Sequence, residues 1–209
     1  MKRFITLTFC LFIWGCSSGI YINVPDTIAN KTGATGYLAG SLGVTTVWPS
    51  TGEGIITTLS IRPVGKTGEI TLTNTQAKSD FENEHNKGQL FVAELPIGRY
   101  EINQVQFKGS NGRKTVRSTS NQNLAIYFDI TEDEVTYIGQ FITSSLVANS
   151  QLWNTPYPSG FGVIHHSYAT SRDHELLAER FPDLEALSFH EVELQGYDTN
   201  KLASKVIEY

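Results

Sequence analysis

Leu124-Ala125-Ile126-Tyr127-Phe128-Asp129-Ile130 sets a large apolar residue at every second position. Side chains of a strand point alternately to its two faces, so Leu124, Ile126, Phe128 and Ile130 form one apolar face, with Ala125, Tyr127 and Asp129 opposite. A half-buried strand produces this period of two. Working outward, similar short runs bounded by turn residues occupy residues 36–43, 55–63, 69–74, 89–95, 99–107, 123–130, 134–143 and 161–166. Many short strands at this spacing predict a mainly β chain, an antiparallel β-sandwich or barrel, of which the sandwich is the expected fold.

Within residues 99–107 the alternation slips. Tyr100 and Ile102 fall in one phase and Val105 and Phe107 in the other, which a β-bulge near Asn103-Gln104 accounts for. One accessory helix is expected near residues 171–187. Thr170 or Ser171 serves as its N-cap, Asp173 and Glu175 sit in the first turn where acids favour the helix dipole, and Leu176, Leu177 and Phe181 form the apolar stripe. Pro182 ends that helix or opens a second turn through Leu184 and Leu187. The polar segments 76–88 and 108–122 read as loops. Val64-Gly65-Lys66-Thr67 echoes the end of a phosphate-binding loop, but Ser60 stands where the first glycine is required and a strand follows, so a hairpin turn is expected.

The 209 residues are 40% hydrophobic and 18% charged, which suits a folded domain and excludes a largely disordered chain. No run approaches the roughly 20 apolar residues of a spanning helix. Lys2 and Arg3 precede an apolar run from Phe4 to Trp14, the order of a secretory signal. Ile13-Trp14-Gly15-Cys16 resembles the lipobox of bacterial lipoproteins. That resemblance implies cleavage before Cys16, a diacylglycerol on its sulfur and a fatty acid on its new amino group. Ser17 in the next position resembles the signal for the outer membrane. The expected organisation is a signal peptide over 1–15, a lipidated tether over 16–29, a β-sandwich domain over 30–195 and a C-terminal tail over 196–209.

Loss of Lys2 and Arg3 leaves fourteen basic residues against twenty-one acids, so the net charge moves from −5 to −7. An acidic domain of this kind argues against nucleic acid as a partner and against a general grip on anionic lipid headgroups. Cys10 leaves with the signal and Cys16 carries the anchor, so no disulfide is expected.

Leu95-Pro96-Ile97-Gly98-Arg99-Tyr100-Glu101-Ile102 resembles the signature of carboxypeptidase regulatory-like and related prealbumin-like β-sandwiches. Phe128-Asp129-Ile130 followed by Val135-Thr136-Tyr137-Ile138-Gly139 is similar to a strand pair of bacterial lipoproteins with that sandwich. The resemblance spans about residues 37–141 and implies a prealbumin-like or Ig-like fold in the cell envelope, with no catalytic residues. Pro96 and Gly98 make a tight turn, while Gly139 permits close approach of another chain.

For chemistry, His165, His166, Asp173, His174 and Glu175 gather zinc-ligand types in eleven residues. They read either as a metal site or as a polar strand end leading into a capped helix. Gly-x-Ser-x-Gly is absent. Asp129, Glu132, Asp133 and Glu134 match no EF-hand loop. Lys108, Arg113, Lys114 and Arg117 make a basic segment, either solubilising or facing an anionic partner or lipopolysaccharide phosphate. Trp153, Tyr157 and Phe161, in a proline-rich stretch, form a candidate partner surface or a cap on the open end of the sandwich. The expected function is a lipid-anchored, periplasm-facing, non-catalytic binding or assembly module without metal or cofactor. Its partners are the membrane, through the anchor, and an envelope protein. The alternatives are an anchored metal-dependent hydrolase using residues 165–175 and a purely structural spacer.

Overall fold

A computed structural model describes residues 19–29, 33–75, 78–120, 124–198 and 202–203. Cys16 and residues 1–15, where a signal peptide is expected, lie outside these residues. The strands are β1 (Tyr21–Asn23), β2 (Thr35–Thr45), β3 (Ile56–Pro63), β4 (Ile70–Thr73), β5 (Phe81–Glu82), β6 (Asn86–Pro96), β7 (Gly98–Ser110), β8 (Thr115–Thr119), β9 (Ile126–Ile130), β10 (Glu134–Asn149), β11 (Pro156–Ser167) and β12 (Ser188–Glu191). Helices are α1 (Asp26–Ala29) and α2 (Thr170–Arg180), the latter followed by a 3₁₀ turn at Pro182–Leu184.

Two six-stranded sheets result. The first runs β1-β4-β3-β7, and the far edge of β7 is shared by β9 along its first half and β8 along its second. The second runs β11-β10-β2-β6-β5, with β12 beside the first residues of β10. The pairing is not purely antiparallel as expected: β10 runs parallel to both β2 and β12, so the second sheet is mixed. Leu59, Ile61, Leu72, Ile102, Val105, Phe107 and Phe128 from the first sheet pack in one cluster with Leu38, Leu42, Phe91, Leu95, Ile138, Phe141 and Ile164 from the second. The molecule is therefore a β-sandwich whose main core lies between the sheets.

Leu124, Ile126, Phe128 and Ile130 are all buried, as the alternation requires, although the strand proper begins at Ile126. In β7, Ser60 opposes Gln104 and Ile61 opposes Ile102, which leaves Asn103 as the extra residue. This bulge resets the phase, so Tyr100, Ile102, Val105 and Phe107 all reach the core. A second irregularity sets Ile138 and Gly139 of β10 against Gly40, with Gly139 at φ +91°. A side chain there would meet the His166 ring and the Ser167 carbonyl.

At Leu95-Pro96-Ile97-Gly98 the chain leaves the second sheet and enters the first, with Ile97 alone between strands. The Tyr100 hydroxyl donates back across this corner to the Pro96 carbonyl at 2.8 Å. That bond closes the corner in the manner of a tyrosine corner in immunoglobulin-type sandwiches. Burial pushes the phenol up to about 12.

Several expectations change. Residues 20–29 belong to the sandwich and not to the tether: β1 pairs with β4, while Ile20 and Ile28 join the core. Leu202, expected in the tail, is fully buried. The loops at 76–88 and 108–122 contain β5, the start of β6 and β8, each hidden from a period reading by polar composition. Residues 64–69 make the expected hairpin turn between β3 and β4.

α2 forms a third layer on the outer face of the second sheet. Leu177 and Leu184 pack there with Ala39, Leu90, Val135 and Tyr137. Its N-cap is Ala169, without a side-chain cap, and not Thr170 or Ser171. Phe181 is 38% exposed, and the inward position of the first turn belongs to Asp173.

Candidate functional site

α2 is fastened by a polar network that begins with Asp173, which is completely buried. Oδ2 of Asp173 accepts hydrogen bonds from Ser41 Oγ on β2 at 2.8 Å and Tyr137 Oη on β10 at 2.7 Å. Oδ1 accepts from Arg172 Nε at 2.8 Å and lies 2.7 Å from Arg172 Nη2 in an ion pair. The Arg172 guanidinium also reaches Ser41 Oγ at 3.1 Å and lies 3.5 Å over the Phe81 ring. Tyr137 in turn accepts from the Ala169 amide at 3.2 Å, so a phenol of the sheet satisfies the start of the helix. Burial, and next the hydrogen bond to Asp173, raises the Tyr137 phenol far above its ordinary range.

At the other end of α2, Arg180 Nη1 pairs with Asp80 Oδ2 at 2.5 Å, and the same oxygen accepts from the Leu90 amide. Burial raises the Asp80 carboxyl above its usual value, and the Leu90 and Arg180 contacts oppose that rise. Both carboxylates are clasps between helix and sheet. Neither is open to a substrate.

The residues at 165–175 do not converge. His165 and His166 point to opposite faces of β11, His165 exposed and His166 half-buried. The His166 Nε2 lies 2.8 Å from the Ile138 carbonyl, to which it donates, and the ring packs against Phe141, Tyr168 and Tyr197. His174 is exposed beside Phe189, while Asp173 is enclosed by the network above. Among the described residues no group of three or more His, Cys, Asp or Glu is placed to hold a metal ion. A cleft of about 730 Å³ lined by His166, Tyr168, Glu193, Leu194 and Tyr197 lies beside this ring. Ser167, which also lines it, accepts a hydrogen bond from Gln140 Nε2 at 2.8 Å.

Burial holds His166 below its ordinary 6.5. The folded protein thus keeps the ring neutral, whereas the unfolded chain takes up a proton near that value. The stability this group contributes is complete above 6.5 and is lost as pH falls through and below it. Thermal unfolding followed from about pH 7.5 to pH 5.5 is expected to show a falling midpoint. His166→Gln retains a donor for Ile138 and should flatten this slope; an unchanged slope would assign it to other groups.

The candidate partner surface is divided. Trp153 is 73% exposed at the turn between β10 and β11, whereas Tyr157 and Phe161 are half-buried along β11. Leu152, unremarked in the sequence, is 81% exposed beside Trp153. Trp48, in the loop after β2, is 64% exposed. The Ser145 amide donates to the Ser50 carbonyl at 2.8 Å and ties that loop to β10. Lys108, Arg113, Lys114 and Arg117 lie on the β7–β8 hairpin, all exposed. Comparison with protein-family models, curated proteins and solved structures gives no match to this chain.

Proposed function

We propose that the chain is an outer-membrane lipoprotein whose β-sandwich faces the periplasm and acts as a non-catalytic binding or assembly module. Cys16 in Ile13-Trp14-Gly15-Cys16 carries this reading. It follows a basic and then apolar leader, it precedes the folded part by only a few residues, and its acylation holds the protein without any spanning helix. Two or three acyl chains are needed for stable attachment, since one gives marginal binding.

The prealbumin-like assignment rests on the corner at Leu95–Tyr100 and its back-donating phenol. The non-catalytic assignment rests on the use to which the reactive groups are put. Asp173, Tyr137, Ser41 and His166 each serve packing contacts. An anchored hydrolase built on residues 165–175 finds no support in this geometry.

Metabolic labelling with a fatty acid tests the reading. Wild-type protein is expected to take up label and to sediment with outer membranes, and Cys16→Ser to lose both. Equal labelling of the two would overturn it.

A further inference from the structure

Strand register places several exposed features at one end of the sandwich. In the first sheet Tyr21 opposes Thr73, Thr73 opposes Thr58, and Thr58 opposes Gln106. The chain entry at Gly19, the start of β3 and the β7–β8 hairpin therefore share that end. In the second sheet Thr45 opposes Asn86 and Val44 lies beside Thr143, so the loop at 46–52 and the β10–β11 turn project the same way. Thr57 and Thr143, bonded through their hydroxyls at 2.7 Å, join the two sheets at this level. Gly160 of β11 packs directly on Gly109 and Ser110 of β7.

The composition of this end differs from the rest of an acidic domain. Residues 135–171 contain no Asp, Glu, Lys or Arg, nor do residues 32–52. These uncharged stretches hold Leu152, Trp153 and Trp48 out in solvent. Beside them, the run between Glu101 and Asp129 has four cations and no acid. Among the described residues the acids of this end are Glu82 and Glu84 on the β5–β6 side, and Glu53, which is paired with Lys87. Trp favours the headgroup level of a bilayer, and Lys and Arg near the surface are drawn to anionic lipid. Cys16 precedes Gly19 by three residues, a reach of about 10 Å at most for extended chain.

We propose that this end of the sandwich lies on the anionic phospholipid surface that receives the acyl chains. Leu152 and Trp153 enter the headgroup layer with Trp48 beside them, and Lys108, Arg113, Lys114 and Arg117 face lipid phosphates. The orientation rests on the Cys16 anchor; the surface chemistry does not. The acidic body then points away from the membrane, and charge repulsion reinforces the tilt.

The test uses lipidated protein carrying Trp48→Phe, which leaves Trp153 as the single tryptophan once the signal is removed. Reconstituted into phosphatidylethanolamine–phosphatidylglycerol vesicles with bromines placed near the headgroups, Trp153 is expected to lose half or more of its emission and to be shielded from iodide. Trp153 open to iodide and unquenched by bromolipid would overturn the proposal and would instead leave the tip to a protein partner. A second arm floats the mature chain carrying Cys16→Ser with the same vesicles. Binding is expected to need phosphatidylglycerol and to weaken about fivefold for each of Arg113→Gln and Lys114→Gln. Flotation of this chain without fatty-acid labelling of wild type would remove the anchor and keep the surface. Labelling of wild type with Trp153 left in water would keep the anchor and remove the surface.

Discussion

Replacing Asp173 with alanine is expected to lower unfolding free energy by about 3–5 kcal/mol, the cost of breaking a buried charged pair by removing one partner. The carboxylate is fully buried, holds three hydrogen bonds from three side chains and is ion-paired with Arg172. Without it the Ser41 and Tyr137 hydroxyls lose their acceptor beneath α2. Arg172, only partly exposed, loses its counter-charge. The effect should concentrate in the third layer, because the main core between the sheets does not include Asp173. Urea unfolding measures the loss, and amide exchange along Thr170–Arg180 should accelerate well before exchange in β3 and β7. Tyr137→Phe removes one bond to a charge and Ser41→Ala removes two, to Asp173 and Arg172, and each is expected to cost about 1.5–3 kcal/mol. Combined with Asp173→Ala they should add little, since the three share one acceptor. A loss under about 1 kcal/mol for Asp173→Ala would mean that water replaces the carboxylate and that the clasp is incidental.

A comparable loss, about 3–5 kcal/mol, is expected for Phe107→Ala. Phe107 lies on β7 in the first sheet, yet its ring is seated on Gly162 of β11 in the second. A β-carbon on Gly162 would fall 2.1 Å from Phe107 Cδ1 and 2.6 Å from both Cε1 and Cγ. The ring is 2% exposed. Gly162→Ala is therefore expected to cost about 1–3 kcal/mol by overpacking. The pair should be strongly non-additive. Phe107→Leu in the Gly162→Ala background is expected to cost less than Phe107→Leu alone, by about 0.5–3 kcal/mol in a double-mutant cycle. Additive behaviour would show that the sheets relax apart at this point.

Much of the sandwich is legible in the sequence because its central strands carry clear periodicity. All eight expected strands are present, and the extra residue in β7 is foreshadowed by the slip between Ile102 and Val105. The strands that escape reading are short edges with few inward residues. β8 buries only Val116, and β5 only Phe81. One buried residue carries no period, and edges of sheets are often polar. The anchor for α2 is hidden for a different reason. Asp173 in a first helical turn has a sufficient local explanation in the helix dipole, and its partners Ser41 and Tyr137 are far away in the chain. A signal does exist in Val135-Thr136-Tyr137-Ile138, where both faces of the strand carry bulk. That pattern marks a strand covered on two sides and so requires a third layer. The exposed tip could be read only in part, because Trp153 and Trp48 come together through strand register and not through sequence.

The parallel pairing of β2 with β10 governs the order in which the domain can form. Tyr37 must meet Val135, and Val44 must meet Thr143, across most of the intervening chain. While β2 and β6 can pair early, the other edge of β2 stays open until β10 has been delivered. A chain emerging N-terminus first therefore carries an unpaired, uncharged strand edge for most of its length, with closure postponed to the arrival of the last third. Non-local pairing of this sort makes folding slow, in the millisecond-to-second regime of β-sandwiches. Over that interval the β2 edge is a template for pairing with another chain, so the span before β10 arrives is when the protein is most exposed to aggregation.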